Sequence, residues 1–198
     1  MLAYFRAGFQ SAGFLALGLA LLLSWRLALA GVEERLDYRY YEVPAQPGES
    51  LRQAINRYTP VRQDGQVFHG YTRWKVRWRF YWFQEASGRC RMERIQVNLE
   101  SEITLPRLSR GDAVQQRRFA SYLDALRRHE LGHVDLGRQA AHAIDRHLAG
   151  LLPQPDCASL EERANAGGME LLRHFQARER QFDQDTGHGR SQGAYLED

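Results

Sequence analysis

The sequence predicts an α+β domain in which a small antiparallel sheet packs on one long helix. Three observations carry this prediction. Residues 127–133 (Arg-Arg-His-Glu-Leu-Gly-His) place an H-E-x-x-H pattern inside a stretch of helical periodicity. Arg73 to Phe83 alternates strictly between two kinds of side chain, and a second alternating stretch follows it after one short turn.

Residues 1–30 stand apart from that domain. Arg6 precedes an apolar run from Phe14 to Trp25, and Ala28-Leu29-Ala30 offers small residues to a signal peptidase. The run is short for a membrane span, so it reads as a signal peptide, with an uncleaved membrane tether as the alternative. Residues 31–198 then form a single exported domain, periplasmic or secreted, with no stable membrane insertion after cleavage. The formal charge of +3 includes Arg6 and Arg26, so the domain itself lies near +1. That balance gives no nucleic-acid footprint. Cys90 and Cys157 are the two cysteines, and an oxidising compartment favours pairing them. Neither sits in a C-x-x-C or beside a histidine, so both are expected to be structural.

Leu36 to Val43 reads as a strand, and Leu51 to Tyr58 as a short helix closed by Pro60. Arg62 to Gly70 is polar and glycine-bounded, so a loop is expected. From Arg73, the side chains of Trp74, Val76, Trp78, Phe80 and Trp82 share one face, expected to pack on the long helix. Glu85-Ala86-Ser87-Gly88 turns the chain into a strand from Cys90 to Leu105. Met92 breaks its parity, which predicts a bulge near Arg94. Arg73, Lys75, Arg77 and Arg79 form the opposite, solvated face.

Asp112 with Gln115 marks a helix start, and Gly150 with Pro153 and Pro155 marks its end. Between them Phe119, Tyr122, Leu123, Leu126, Ala140, Ile144 and Leu148 recur at helical spacing. On that helix His129 and His133 share a face and can direct two imidazoles at one ion. Glu130 lies beside them, placed to take a proton from an attacking water. Chance supplies roughly 0.02 such matches in a chain of this composition, so the motif is specific. After Cys157 a third helix is expected to run back antiparallel, and Gly187 to Gly189 ends it in a loop.

The chain resembles an uncharacterised family of predicted secreted zinc-dependent proteases, one of the domain-of-unknown-function families. The likeness rests on Tyr40-Tyr41-Glu42-Val43, Tyr71-Thr72-x-Trp74, His129-Glu130-x-x-His133-x-Asp135 and Phe182-Asp183-x-x-Thr186-x-His188. At 182 the family typically carries tyrosine. The resemblance implies an exported, zincin-like metallopeptidase with one Zn²⁺ per chain and a peptide or protein substrate. Its Thr-x-His ending, together with flanking Gly187 and Gly189, favours His188 as third ligand, with Glu179 and Asp183 as competitors. Two other functions are compatible with the same residues: a zincin-shaped binding or scaffold protein, and a zinc amidase acting on cell-wall peptides.

Overall fold

A computed structural model describes residues 31–63 and 65–197. The expected signal peptide lies outside the described residues. The order is β1 (Val32–Pro44), α1 (Leu51–Tyr58), β2 (Arg62–Gln63), β3 (Gln66–Val67), β4 (Tyr71–Gln84), β5 (Cys90–Arg110), α2 (Ala113–Ala149) and α3 (Cys157–Thr186). A short 3-10 turn, Arg190–Gln192, follows. No described helix is long and apolar enough to cross a membrane.

The class is α+β, but the sheet is mixed rather than antiparallel. Its order is β1-β5-β4; β4 pairs antiparallel to β5, whereas β1 runs parallel to it, from Val32 opposite Val97. A tight turn after β4 enforces the antiparallel pair. The connection from β1 to β5 passes through α1 and β4 and is long enough to return the chain in either direction. The segment 62–70, expected to be a loop, contains the two-residue strands β2 and β3 paired as a hairpin. The bulge is where parity predicts it: Tyr81 pairs with Arg94 but Trp82 with Met92, leaving Glu93 as the extra residue.

The inner sheet face (Val76, Val97, Leu99, Ile103, Leu105) is buried under the helices. Two clusters result, one around Ile55, Leu105, Phe119 and Leu126, the other around Leu99, Ile144, Leu148 and Ala164. Among the described residues the members of both clusters run from Val32 to Leu196. The outer face is an ion-pair lattice. Arg73 lies 3.3 Å from Glu102, Arg39 lies 2.5 Å from the same carboxylate, and Arg77 pairs with Glu100. Opposite charges thus neutralise Arg73 and Arg77 of the basic stripe.

Asp112 caps α2 through a reciprocal capping box with Gln115. Helix α3 is capped by Asp156 and tied at its first residue to β5 by a Cys90–Cys157 disulfide, with Cα atoms 5.0 Å apart. It runs antiparallel to α2, since His147 meets Gly167, Gln139 meets Arg178, and His133 meets Glu179.

Candidate metal centre

Helix α2 presents His129, Glu130 and His133 to its neighbours rather than to solvent; they are 3%, 3% and 6% exposed. Burial of three polar side chains on one helix face is costly unless each is partnered. The partners come from β4, α3 and the 3-10 turn, and together they build a site.

Three acceptor atoms converge there. His133 Nε2 lies 3.3 Å from His129 Nε2 and 3.0 Å from Asp183 Oδ1, and His129 Nε2 lies 3.2 Å from the same oxygen. These residues form a candidate metal site. The opposite ring nitrogens are held elsewhere. His129 Nδ1 is 3.0 Å from Gln192 Oε1, and His133 Nδ1 is 3.3 Å from Glu179 Oε1. Glu179 Oε1 also accepts a hydrogen bond of 3.0 Å from Trp74 Nε1. An acceptor oxygen is nearest to each Nδ1, although His133 Nδ1 lies outside hydrogen-bond geometry; a proton on each Nδ1 turns the Nε2 lone pairs inward. Two inward lone pairs and a carboxylate within 3.3 Å of one another repel unless a cation lies between them.

Burial alone disfavours the charged His133 imidazole, but hydrogen bonds to Asp183 and Glu179 outweigh it and push the group up to about 9. Burial likewise opposes ionisation of Asp183, and the two imidazoles overcome it, holding the carboxyl well below the usual carboxylate range.

Glu130 occupies the neighbouring position. Burial raises its carboxyl, partly offset by a hydrogen bond from Thr72. Thr72 Oγ1, on β4, donates to Glu130 Oε2 at 2.7 Å and lies 3.1 Å from the Glu130 carbonyl. The other oxygen, Oε1, faces Gly70, where any Cβ would run into it. Glycine at 70 therefore keeps clear the space in front of that oxygen. A cleft of about 790 Å³ opens over these groups, lined among others by Tyr71, Thr72, Tyr122 and Leu126. Its size suits a ligand spanning several residues.

Phe182 roofs the pair. Its ring stacks on His129 at 5.1 Å and meets His133 edge-on at 5.1 Å. A Cβ at Gly132, between the two histidines, would strike this ring, so glycine there lets α3 approach closely enough for Asp183 to reach both imidazoles. One turn later Thr186 Oγ1 donates to the Phe182 carbonyl at 2.7 Å and accepts from Gly189 N at 3.3 Å. That bond fixes the turn which brings Gln192 to His129.

The structure thus gathers His129, Glu130, His133 and Asp183. His188 is at the rim: its Nδ1 is 3.6 Å from Asp183 Oδ1, its side chain is 53% exposed, and its φ is +54°. It is not among the three converging donors. Glu179 serves the other nitrogen of His133. Thr72, Phe182, Gln192 and Trp74 were not singled out as site residues from the sequence, although Thr72, Trp74 and Phe182 lie within the stretches that carry the family likeness.

No curated protein and no solved structure matches the chain significantly. A family model described as "Bacterial protein of unknown function (DUF922)" matches residues 38–189, which hold the second half of β1, every element from α1 to α3 and all four gathered side chains. The chain is a member of the DUF922 family.

Proposed function

We propose that this protein is an exported, zinc-dependent peptidase with His129, His133 and Asp183 as ligands and Glu130 as general base. The observation that carries the reading is the triangle of three acceptors with sides of 3.0 to 3.3 Å. Tetrahedral zinc with bonds of about 2.0–2.1 Å separates its ligands by roughly 3.3–3.4 Å, so the donors stand close to the required spacing. Two neutral imidazoles and one carboxylate are a catalytic zinc set that leaves one position open. When bound, zinc acts as a Lewis acid on the scissile carbonyl and makes a water acidic enough to lose a proton near neutral pH.

The chain's own residues do the rest. Thr72 holds Glu130 Oε2, leaving Oε1 free towards the cleft to take the proton and pass it to the leaving amine. Burial of Glu130 favours its protonated form, which eases that acceptance. The cleft touches the start of β4, which among the described residues pairs in the sheet on its β5 side alone, so an extended peptide has a strand edge beside the catalytic groups. The disulfide supports an exported location.

The test combines metal content with turnover. Purified protein should contain about one zinc per chain, lost in Asp183→Ala and retained in His188→Ala. Denatured casein and purified cell wall, each with and without chelator, separate a protease from a cell-wall amidase. Glu130→Gln should keep the zinc and lose hydrolysis of either. Protein that binds no transition metal would end this reading, and zinc without turnover on any substrate would leave a scaffold.

A further inference from the structure

Far from the cleft, the β4–β5 hairpin ends in three consecutive exposed aromatic residues. Tyr81, Trp82 and Phe83 are 42%, 39% and 45% exposed. Successive strand residues point to opposite faces, so this apolar surface wraps the tip on both sides. Along the inner face burial fades towards the tip, from buried Val76 through half-buried Trp78 and Phe80 to exposed Trp82.

The tip is also cationic. Arg94 lies over the Tyr81 ring at 4.0 Å and Arg91 over Phe83 at 5.0 Å, with Arg79 and Arg89 nearby. Nearer the cleft the stripe is neutralised, Arg73 by Glu102 and Arg77 by Glu100. Among the described residues the four tip arginines form no ion pair; the acids around them are Glu85 and Glu93 on the hairpin and Asp156, the α3 cap next to Cys157. We propose that this hairpin tip is a docking surface for an anionic phospholipid bilayer.

Two features favour that occupant. Guanidinium groups cover ring faces that a sugar would need for stacking, while rings and cations side by side suit the boundary between headgroups and acyl chains. Chain direction agrees. Strand β1 begins at Val32 opposite Val97 and runs parallel to β5, so read backwards it points towards the tip. The sequence before it carries the apolar run Phe14 to Trp25. A tether retained there would meet the membrane at the same end of the domain. The disulfide fixes the hairpin to the first residue of α3, and Asp183 lies near the other end of that helix, roughly 40 Å along its axis. Docked this way, the cleft stays open to solution.

The experiment uses residues 31–198, first shown to be folded by circular dichroism and a closed disulfide, in sedimentation with phosphatidylglycerol or phosphatidylcholine vesicles. Wild type should bind the anionic vesicles, prefer them to the neutral ones, and lose most binding in about 0.5 M salt. Arg91→Glu with Arg94→Glu should weaken partitioning by at least roughly fivefold per arginine. Tyr81→Ser, Trp82→Ser and Phe83→Ser together should abolish it. Circular dichroism and a closed disulfide establish that each variant is folded; if the serine variant is not, the charge variant alone carries the comparison. Wild type that ignores phosphatidylglycerol, or binds no better than the folded variants, overturns the proposal. So does a dimer that the tip substitutions abolish in protein that does not bind vesicles. None of these outcomes depends on whether the metal centre is active.

Discussion

Replacing Thr72 with valine removes one hydroxyl from the site and little else. Valine matches threonine in size and is at least as compatible with a strand, so β4 should be preserved. The lost interaction is a hydrogen bond of 2.7 Å to a carboxylate that is 3% exposed. A hydrogen bond to a charged group contributes about 1.5–3 kcal/mol, and burial leaves no water to replace it. A loss of about 2 kcal/mol lowers the melting temperature of a domain this size by roughly 4–8 °C. The cleaner measurement is a double-mutant cycle of Thr72→Val and Glu130→Met by denaturant unfolding, with the disulfide intact. The expected coupling is about 1.5–3 kcal/mol. Because the hydroxyl favours the ionised carboxyl, its loss raises that group further. Coupling should therefore be largest at alkaline pH and shrink as Glu130 takes up a proton. Zinc content should not change, since no ligand is touched, while turnover should fall with the base unanchored. A coupling below about 0.5 kcal/mol would refute the claim that Thr72 holds the base.

Glu179→Ala and Gln192→Ala should each weaken zinc binding by about 10- to 100-fold without abolishing it, because they orient imidazoles and are not ligands; competition with a fluorescent chelator measures this. His69 is lowered to about 4, by burial first and Arg52 second, and it is clamped between Asn56 at 2.7 Å and Tyr122 at 2.6 Å. Its unfolded form takes up a proton as pH falls below 6.5, whereas the folded form resists until about 4. Stability should thus decline across that window by roughly 3 kcal/mol in total. His69→Gln should flatten the decline in urea unfolding run from pH 7 to 4.5. Cys90→Ser with Cys157→Ser should cost about 4 kcal/mol in the chain-entropy model, and thiol titration of the unfolded, unreduced wild type should find no free thiol.

Features encoded locally were legible in the sequence. Capping chemistry marks both ends of α2, alternation marks β4 and β5, and one residue out of parity marks the bulge at Glu93. Features decided at long range were not. Nothing in Leu36 to Val43 states whether its partner runs parallel, because that pairing is made with a strand some 65 residues later. Alternation identifies the face carrying Trp82 but not where the helices stop covering it, so Trp82 reads as core and is exposed. His129, Glu130 and His133 were found because one helix turn holds all three.

The third donor shows where such reasoning stops and what signal remained. Distance along α3 brings residues near 179 level with the histidines, and glycines flanking His188 favour the loop beyond. Yet Glu179 and Asp183 repeat on α3 the four-residue spacing of His129 and His133 on α2. Two antiparallel helices with matching spacings can interlock their side chains like teeth. Asp183 then falls between the two imidazoles and reaches both, while Glu179 meets the outer nitrogen of His133. The interlock requires the helices to lie close, and Phe182 against Gly132 sets that separation. A side chain at 132 would push α3 away and carry Asp183 out of reach, whatever the loop at His188 did. The position of the third donor therefore follows from helix packing around Gly132 rather than from the flexibility of the glycine-rich turn.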